Sequence, residues 1–276
     1  MVAINGTYDV VLVPLLMPIA EILNFLPAKV RNISPSPLIS FTSDQISSLG
    51  LSSSAYNAEE NHPVMLELGY QNHTGPGPRF FRPSFDEAKL DILGMRHPSL
   101  TTNQPTSAEK GFVFKQLILF SNIVLATSSN VIAGLRSKVV TITPHKSPSI
   151  YPTDTQDILY NVEDYIEANF SKDGDSAGSA ENNGAVQWAG RPWYGWNTGD
   201  TLTQFVFDTE NTKIEPVPYK ADVRVKTGSF YDPSVAEKAG QVGREWSEFD
   251  SVDSWRFEAD FFSRDMKASE ANLNPQ

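Results

Sequence analysis

A chain of 276 residues with 22 Lys and Arg against 33 Asp and Glu carries a net charge of −11 and no cysteine. That balance supplies no basic face for nucleic acid or an anionic membrane, and the missing thiols exclude disulfides, thiolate catalysis and Cys-ligated zinc or iron–sulfur sites. The expected partner is a small molecule, and the length allows one large domain over residues 1–276 with no linker dividing it.

Residues 8–27 are apolar enough to suggest a membrane span, but Pro14, Pro18, Pro27, Asp9, Glu21 and Asn24 interrupt them and no basic stretch precedes them. Asp9–Val13 predicts a buried strand, and Pro18 stands at a natural first position for a helix over Ile19–Leu26, stopped by Pro27. Residues 34–61 are rich in Ser, Pro and Asn and read as loop with a short strand at Leu38–Thr42. Pro63–Tyr70 predicts another strand, and Gly75-Pro-Gly-Pro78 a turn. Phe85–Met95, Gly111–Phe120 and Lys138–Thr143 follow as strands by β-branched and aromatic content, while residues 122–133 fit either a strand or a short helix capped by Asn122. In Asp157–Asn169 the spacing of Ile158, Leu159, Val162, Tyr165 and Ile166 predicts a helix. Residues 172–184 read as a mobile polar loop. Thr201–Phe207, Ile214–Val225 and Trp255–Phe262 complete the strands, and Met266–Gln276 reads as a polar tail. Many strands, few helices and no βαβ alternation predict an α+β, mainly antiparallel barrel or sandwich.

Few motifs carry chemistry. Asp173-Gly-Asp175-Ser-Ala-Gly178 opens like a calcium loop, but Gly184 occupies the position of its bidentate glutamate. His62, His73, His97 and His145 are isolated, so no metal is expected. The local signatures of nicotinamide, flavin, ATP and α/β-hydrolase chemistry are missing, and no cofactor is expected. The four sequons at Asn5, Asn32, Asn72 and Asn169 have no signal peptide ahead of them, which makes the cytoplasm the default compartment.

Three features remain. Trp188-Ala-Gly-Arg-Pro-Trp-Tyr-Gly-Trp196 suits either a rigid wall over an apolar ligand or a cap on a barrel end. In Phe85–Ile92, alternation puts Phe85, Glu87, Lys89 and Asp91 on one face; solvent is the simpler destination for it and a polar cavity the other. Lys138 enters a strand beside Val139, Val140 and Ile142, where it must snorkel, pair or occupy a cavity, although most lysines at strand starts point to water.

Together these residues resemble the acetoacetate decarboxylase-like family. The shared pattern is an early strand and helix ending in a proline (Val10–Pro27), a strand opened by Pro63, the Phe85-Asp86-Glu87 opening of another, and Phe120-Ser-Asn followed by Gly134-Leu-Arg-Ser-Lys138. There the family writes Gly, an aromatic or aliphatic residue, Pro, Lys, Lys. The resemblance implies a closed or partly closed β-barrel with an internal apolar cavity, a few peripheral helices, and a lysine that forms a Schiff base with a β-keto acid. Ser137 falls at the Schiff-base position, Lys138 on its neighbouring lysine, Arg136 on the proline, and Glu87 on the active-site glutamate. No residue near the N-terminus matches the family's arginine.

A serine hydroxyl cannot form the iminium electron sink, so the resemblance implies a retained pocket with changed chemistry. The expected function is a cofactor-free enzyme that cyclises or isomerises an apolar carbonyl-bearing secondary metabolite, such as a polyketide or terpenoid intermediate. Lys138 or Arg136 would polarise the carbonyl and Glu87 would act as acid or base, with Ser137, Phe85, Trp188, Trp193, Tyr194 and Trp196 against the substrate. Two alternatives stand beside it: a decarboxylase or aldolase-dehydratase acting through a Lys138 Schiff base, and a non-catalytic binder. A homodimer is the base-rate expectation for assembly.

Overall fold

The structure is a computed structural model describing residues 4–131, 134–143, 158–174, 178–197, 199–239 and 246–271. Its strands are β1 (Asn5–Pro18), β2 (Asn61–Gly75), β3 (Phe85–Met95), β4 (Phe112–Phe120), β5 (Ser137–Val139), β6 (Ile142–Thr143), β7 (Ile158–Val162), β8 (Ile166–Lys172), β9 (Trp193–Tyr194), β10 (Thr201–Phe207), β11 (Ile214–Val225) and β12 (Ser247–Lys267). The order β1-β2-β3-β4-β9-β10-β12 closes into a barrel because β12 returns to pair with β1. Neighbours in the barrel are antiparallel except β4 and β9, and β5 adds to β4 in parallel. From β12 the sheet continues outward through β11, β8, β7 and β6.

The length of β12 makes this possible. Its first part pairs with β11, its middle with β1 and its last part with β10, so one strand belongs to both the barrel and the outer layer. Alternation then sends the two faces of β1–β4 into different cores. Tyr8, Val10, Leu12 and Met65 point into the barrel with Phe257 and Ala259. Val11, Val13, Leu66, Leu68, Ala88 and Leu90 point outward and pack with Tyr160, Ile166, Phe170 and Val223 of the outer layer. The strands β3 and β4 are consequently buried on both faces along their whole length.

This corrects the simpler destination for the charged face of β3, which is not solvent: the outer layer covers the opposite, apolar face, so the charged face must line the barrel. Residues 158–169 are also not a helix, and Asp157 lies outside the described residues. From Ile158 they form the β7–β8 hairpin, turned at Asp164 with a φ of 61°. The burial alternates strictly at Tyr160, Val162, Ile166, Ala168 and Phe170, and the 3–4 spacing arises because two period-2 segments flank a turn.

Other differences are smaller. Leu38–Thr42 contributes a single bridge from Leu38 to Met95, and the loop beyond it holds a helix, Ser43–Ser48, with a Thr42–Gln45 capping box. The early helix spans Ile19–Phe25, and the ambiguous segment after β4 is a helix, Ile123–Val131. The expected loop at 172–184 ends in a turn of 3₁₀ helix at Ala180–Asn182, and its residues 175–177 lie outside the described residues. In the C-terminal tail Met266 and Lys267 end β12, Ala268–Ala271 is helical, and 272–276 lie outside the described residues, as does His145. Among the described residues no helix is long and apolar enough to cross a membrane.

Candidate functional site

The inward faces of β2, β3 and β4 bring five ionisable side chains together inside the barrel. Glu67 comes from β2, Glu87, Lys89 and Asp91 from β3, and Lys115 from β4, each no more than 2% exposed. Register places Glu67 opposite Lys89 and Asp91 opposite Lys115, so opposite charges face one another across neighbouring strands. A bulge follows at once: Leu90 pairs with Leu117 while Asp91 pairs with Lys115. The extra residue, Gln116, turns away and donates to the carbonyls of Phe25 and Phe230. This irregularity lets both Lys115 and Ile118 face inward although they are an odd number of positions apart.

Lys89 Nζ lies 2.6 Å from Glu87 Oε1 and 3.0 Å from Glu67 Oε2. Lys115 Nζ lies 3.2 Å from Glu67 Oε1 and forms a close ion pair with Asp91 Oδ2. Glu67 therefore bridges both ammonium groups, one through each oxygen. Gln71 Nε2 donates to Glu87 Oε1 at 2.6 Å, the same oxygen that Lys89 engages. The Tyr8 hydroxyl donates to Glu67 Oε2 at 3.2 Å.

The cluster holds three carboxyls and two ammoniums, and burial magnifies the imbalance. Burial alone would raise Glu67, but Lys115 and then Lys89 outweigh it and hold its carboxyl well below the ordinary range. Burial would lower Lys89, yet Glu67 and Glu87 lift it above the ordinary lysine value, so it stays an ammonium. Asp91 goes the other way: burial, reinforced by the Glu67 charge, raises it well above the ordinary value against the pull of Lys115. Asp91 is thus the carboxyl of the cluster whose neutral form burial favours. Burial and the nearby Glu87 also push the Tyr8 phenol upward.

Above this floor lies a cavity of about 410 Å³ lined by Glu87, Lys89 and Lys115 together with Ile4, Gln71, Phe85, Ile118, Phe120, Leu125, Leu135, Trp193 and Phe205. Its walls come from several barrel strands and from the helix after β4. Lys115 Nζ stands 5.5 Å from the Trp193 ring centre, and Lys89 Nζ 5.3 Å from that of Phe205. The indole Nε1 of Trp193 is buried without a hydrogen-bond partner in the protein.

Of the residues singled out in the sequence, Glu87, Phe85 and Trp193 line this cavity. Ser137 is buried beside it, its hydroxyl donating to Ala126 O at 2.7 Å. Lys138 is exposed, with Nζ 2.9 Å from the Tyr165 hydroxyl. Arg136 donates to Phe230 O at 3.0 Å and lies over the Trp196 ring, while Trp196 donates to Gln116 O. Trp188 packs on Phe41 at 5.3 Å between ring centres. Tyr194, the next residue after inward-facing Trp193, turns outward and donates to Arg96 O. The aromatic run thus serves the cavity through Trp193 and the surrounding cores through the rest.

Sequence reasoning missed Glu67 and Lys115. The available signal was the one that drew notice to Lys138, a charged residue in an apolar strand. It is stronger at Lys115, between Phe114 and Leu117, and at Glu67, between Leu66 and Leu68. Among the described residues no group of three or more His, Asp or Glu side chains has the arrangement of a metal site.

No family model matches the sequence, and no curated protein matches it. Solved structures do match in fold. The enduracididine biosynthesis enzyme MppR complexed with pyruvate superposes with a TM-score of 0.56 at 8% identity, covering 96% of this chain and 90% of that one. MppR with the condensation product of pyruvate and imidazole 4-carboxaldehyde gives 0.54 at 9% identity, over 96% and 90%. An acetoacetate decarboxylase gives 0.49 at 8% identity, over 97% and 89%. The chain has the acetoacetate decarboxylase-like fold that the sequence resemblance implied.

Proposed function

We propose that the barrel cavity is the active site of a cofactor-free enzyme that moves protons at carbon next to a carbonyl, and so isomerises or cyclises an apolar carbonyl compound. The observation that carries this reading is the placing of Glu87 and Lys115, linked through Lys89 and Glu67, on the floor of a largely apolar cavity. Two of the three N–H bonds of Lys115 are directed to Asp91 and Glu67, and the third is the one that can reach a ligand oxygen. Gln71 and Lys89 fix Glu87 through Oε1, which leaves Oε2 as the oxygen not engaged by these two donors.

A substrate carbonyl on Lys115 would be polarised toward its enolate, and Glu87 would take the proton from the adjacent carbon. Return of that proton to a different carbon completes an isomerisation. Attack of the enolate carbon on a second electrophilic carbon of the same molecule completes a cyclisation, the new oxyanion taking the proton. The apolar walls orient the substrate and keep water from the enolate. Lys89 is the positioning residue that holds Glu87. The occurrence of MppR with a carbonyl condensation product on the same fold supports carbonyl chemistry in such a barrel.

The test is exchange of α-protons for solvent deuterium, followed by NMR, across a panel of aryl ketones and cyclic β-diketones. The expected result is exchange by the wild type that falls at least about a hundredfold in Glu87→Gln. Equal exchange by both proteins would refute the assignment. Schiff-base chemistry, whether at Lys138 or at a cavity lysine, is distinguished by cyanoborohydride trapping. A reduced adduct mapped to a lysine would replace the non-covalent scheme with an iminium one.

A further inference from the structure

We infer that this site takes neutral carbonyl compounds and rejects those carrying a carboxylate, and that Glu67 and Asp91, the carboxyls set behind the lysines, fix the preference. The inference rests on the reading of the cavity as the substrate site and adds the charge class of the substrate. Among the described residues lining the cavity, the cations are Lys89 and Lys115. Neither is available to neutralise an incoming anion. Lys89 is engaged by Glu67 and Glu87, and Lys115 by Glu67 and Asp91. Three acids face two bases, so the cluster has no surplus positive charge whichever carboxyl holds a proton.

A substrate carboxylate would therefore enter a buried, low-dielectric space as a net negative charge, next to the Glu87 carboxylate on the same wall. A neutral carbonyl incurs no such penalty. It can accept from the third N–H of Lys115. Glu67 lies behind both lysines, absent from the cavity surface, and holds each through a different oxygen. Asp91, paired with Lys115, is likewise absent from that surface, so these two carboxyls can be removed without altering the walls.

The experiment compares a ligand pair matched in shape, 3-benzoylpropionamide and 3-benzoylpropionate, by calorimetric binding to the wild type and to Glu67→Gln/Asp91→Asn. The wild type is expected to bind the amide at least about tenfold more tightly than the carboxylate, and Glu67→Gln/Asp91→Asn, which leaves Glu87 alone against two lysines, to bring the two within about threefold. Carboxylate binding by the wild type as tight as amide binding would overturn the inference while leaving the cavity as the site. A preference unchanged in folded Glu67→Gln/Asp91→Asn would overturn the role of these two carboxyls; if that variant does not fold, the wild-type comparison alone decides the charge class. Failure of both ligands and of a larger neutral aryl ketone to bind would count against the proposed function itself.

Discussion

Replacing Lys89 by methionine strands charge in the middle of the barrel. The ammonium is 2% exposed and spans two carboxylates, at 2.6 Å to Glu87 and 3.0 Å to Glu67. Without it Glu67 keeps Lys115, but Glu87 is left with the Gln71 amide and the Tyr8 region as its polar surroundings. Removing one partner of a buried ion pair typically costs about 3–5 kcal/mol, because the other charge is left uncompensated. At roughly 2–4 °C per kcal/mol for a chain of this size, the melting temperature is expected to fall by about 6–20 °C. The double variant Lys89→Met/Glu87→Gln removes the stranded carboxylate as well and is expected to regain at least about 1.5 kcal/mol. Urea unfolding of the wild type, both single variants and the double variant completes the cycle. A Lys89→Met loss below about 1 kcal/mol, or a double variant as unstable as the sum of the singles, would refute the argument that these charges hold one another.

The opposite shifts of Glu67 and Asp91 have opposite consequences for stability. Glu67 is held below its ordinary value of 4.5, so its contribution is present above that value and lost as pH falls through the lower folded-state value. Asp91 is raised above its ordinary value of 3.8, so its contribution is greatest in acid and declines as pH rises. Asp91→Asn is therefore expected to gain stability relative to the wild type as pH rises from about 4 toward neutrality, measured by denaturant unfolding across that range; a flat or falling difference would show that Asp91 is ionised in the fold. Lys138→Met, at an exposed position whose Nζ meets the Tyr165 hydroxyl, is expected to stay within about 0.5 kcal/mol of wild-type stability and to keep deuterium exchange. Loss of exchange in that variant, with the fold intact, would restore Lys138 as the catalytic amine. Trp193→Phe is expected to keep the wall and remove one buried donor, weakening binding of the neutral ketone by roughly 1 kcal/mol in calorimetry; unchanged affinity would show that the indole does not meet the ligand.

Much of the sheet was legible because its strands alternate. Phe85–Met95, Thr201–Phe207 and Ile214–Val225 end where composition and bounding residues put their ends. The β7–β8 hairpin was not, because Ile158 to Ile166 fits a helical period as well as two short strands, and only the turn at Asp164 separates the two readings. The charged face of β3 was visible as a face but not as an interior one. Its direction depends on the outer layer from β11 to β7, whose packing over Ala88 and Leu90 is a long-range fact no local pattern carries. Glu87 was identified through resemblance, whereas Glu67 and Lys115 become meaningful only when the strand register sets them across from Lys89 and Asp91.

The most direct measurement is a crystal structure of the protein with a neutral aryl β-diketone bound. The account expects the ligand inside the barrel, one carbonyl oxygen within about 3.2 Å of Lys115 Nζ and the intervening carbon against Glu87. A ligand seated at Lys138, or joined covalently to a lysine, would contradict it.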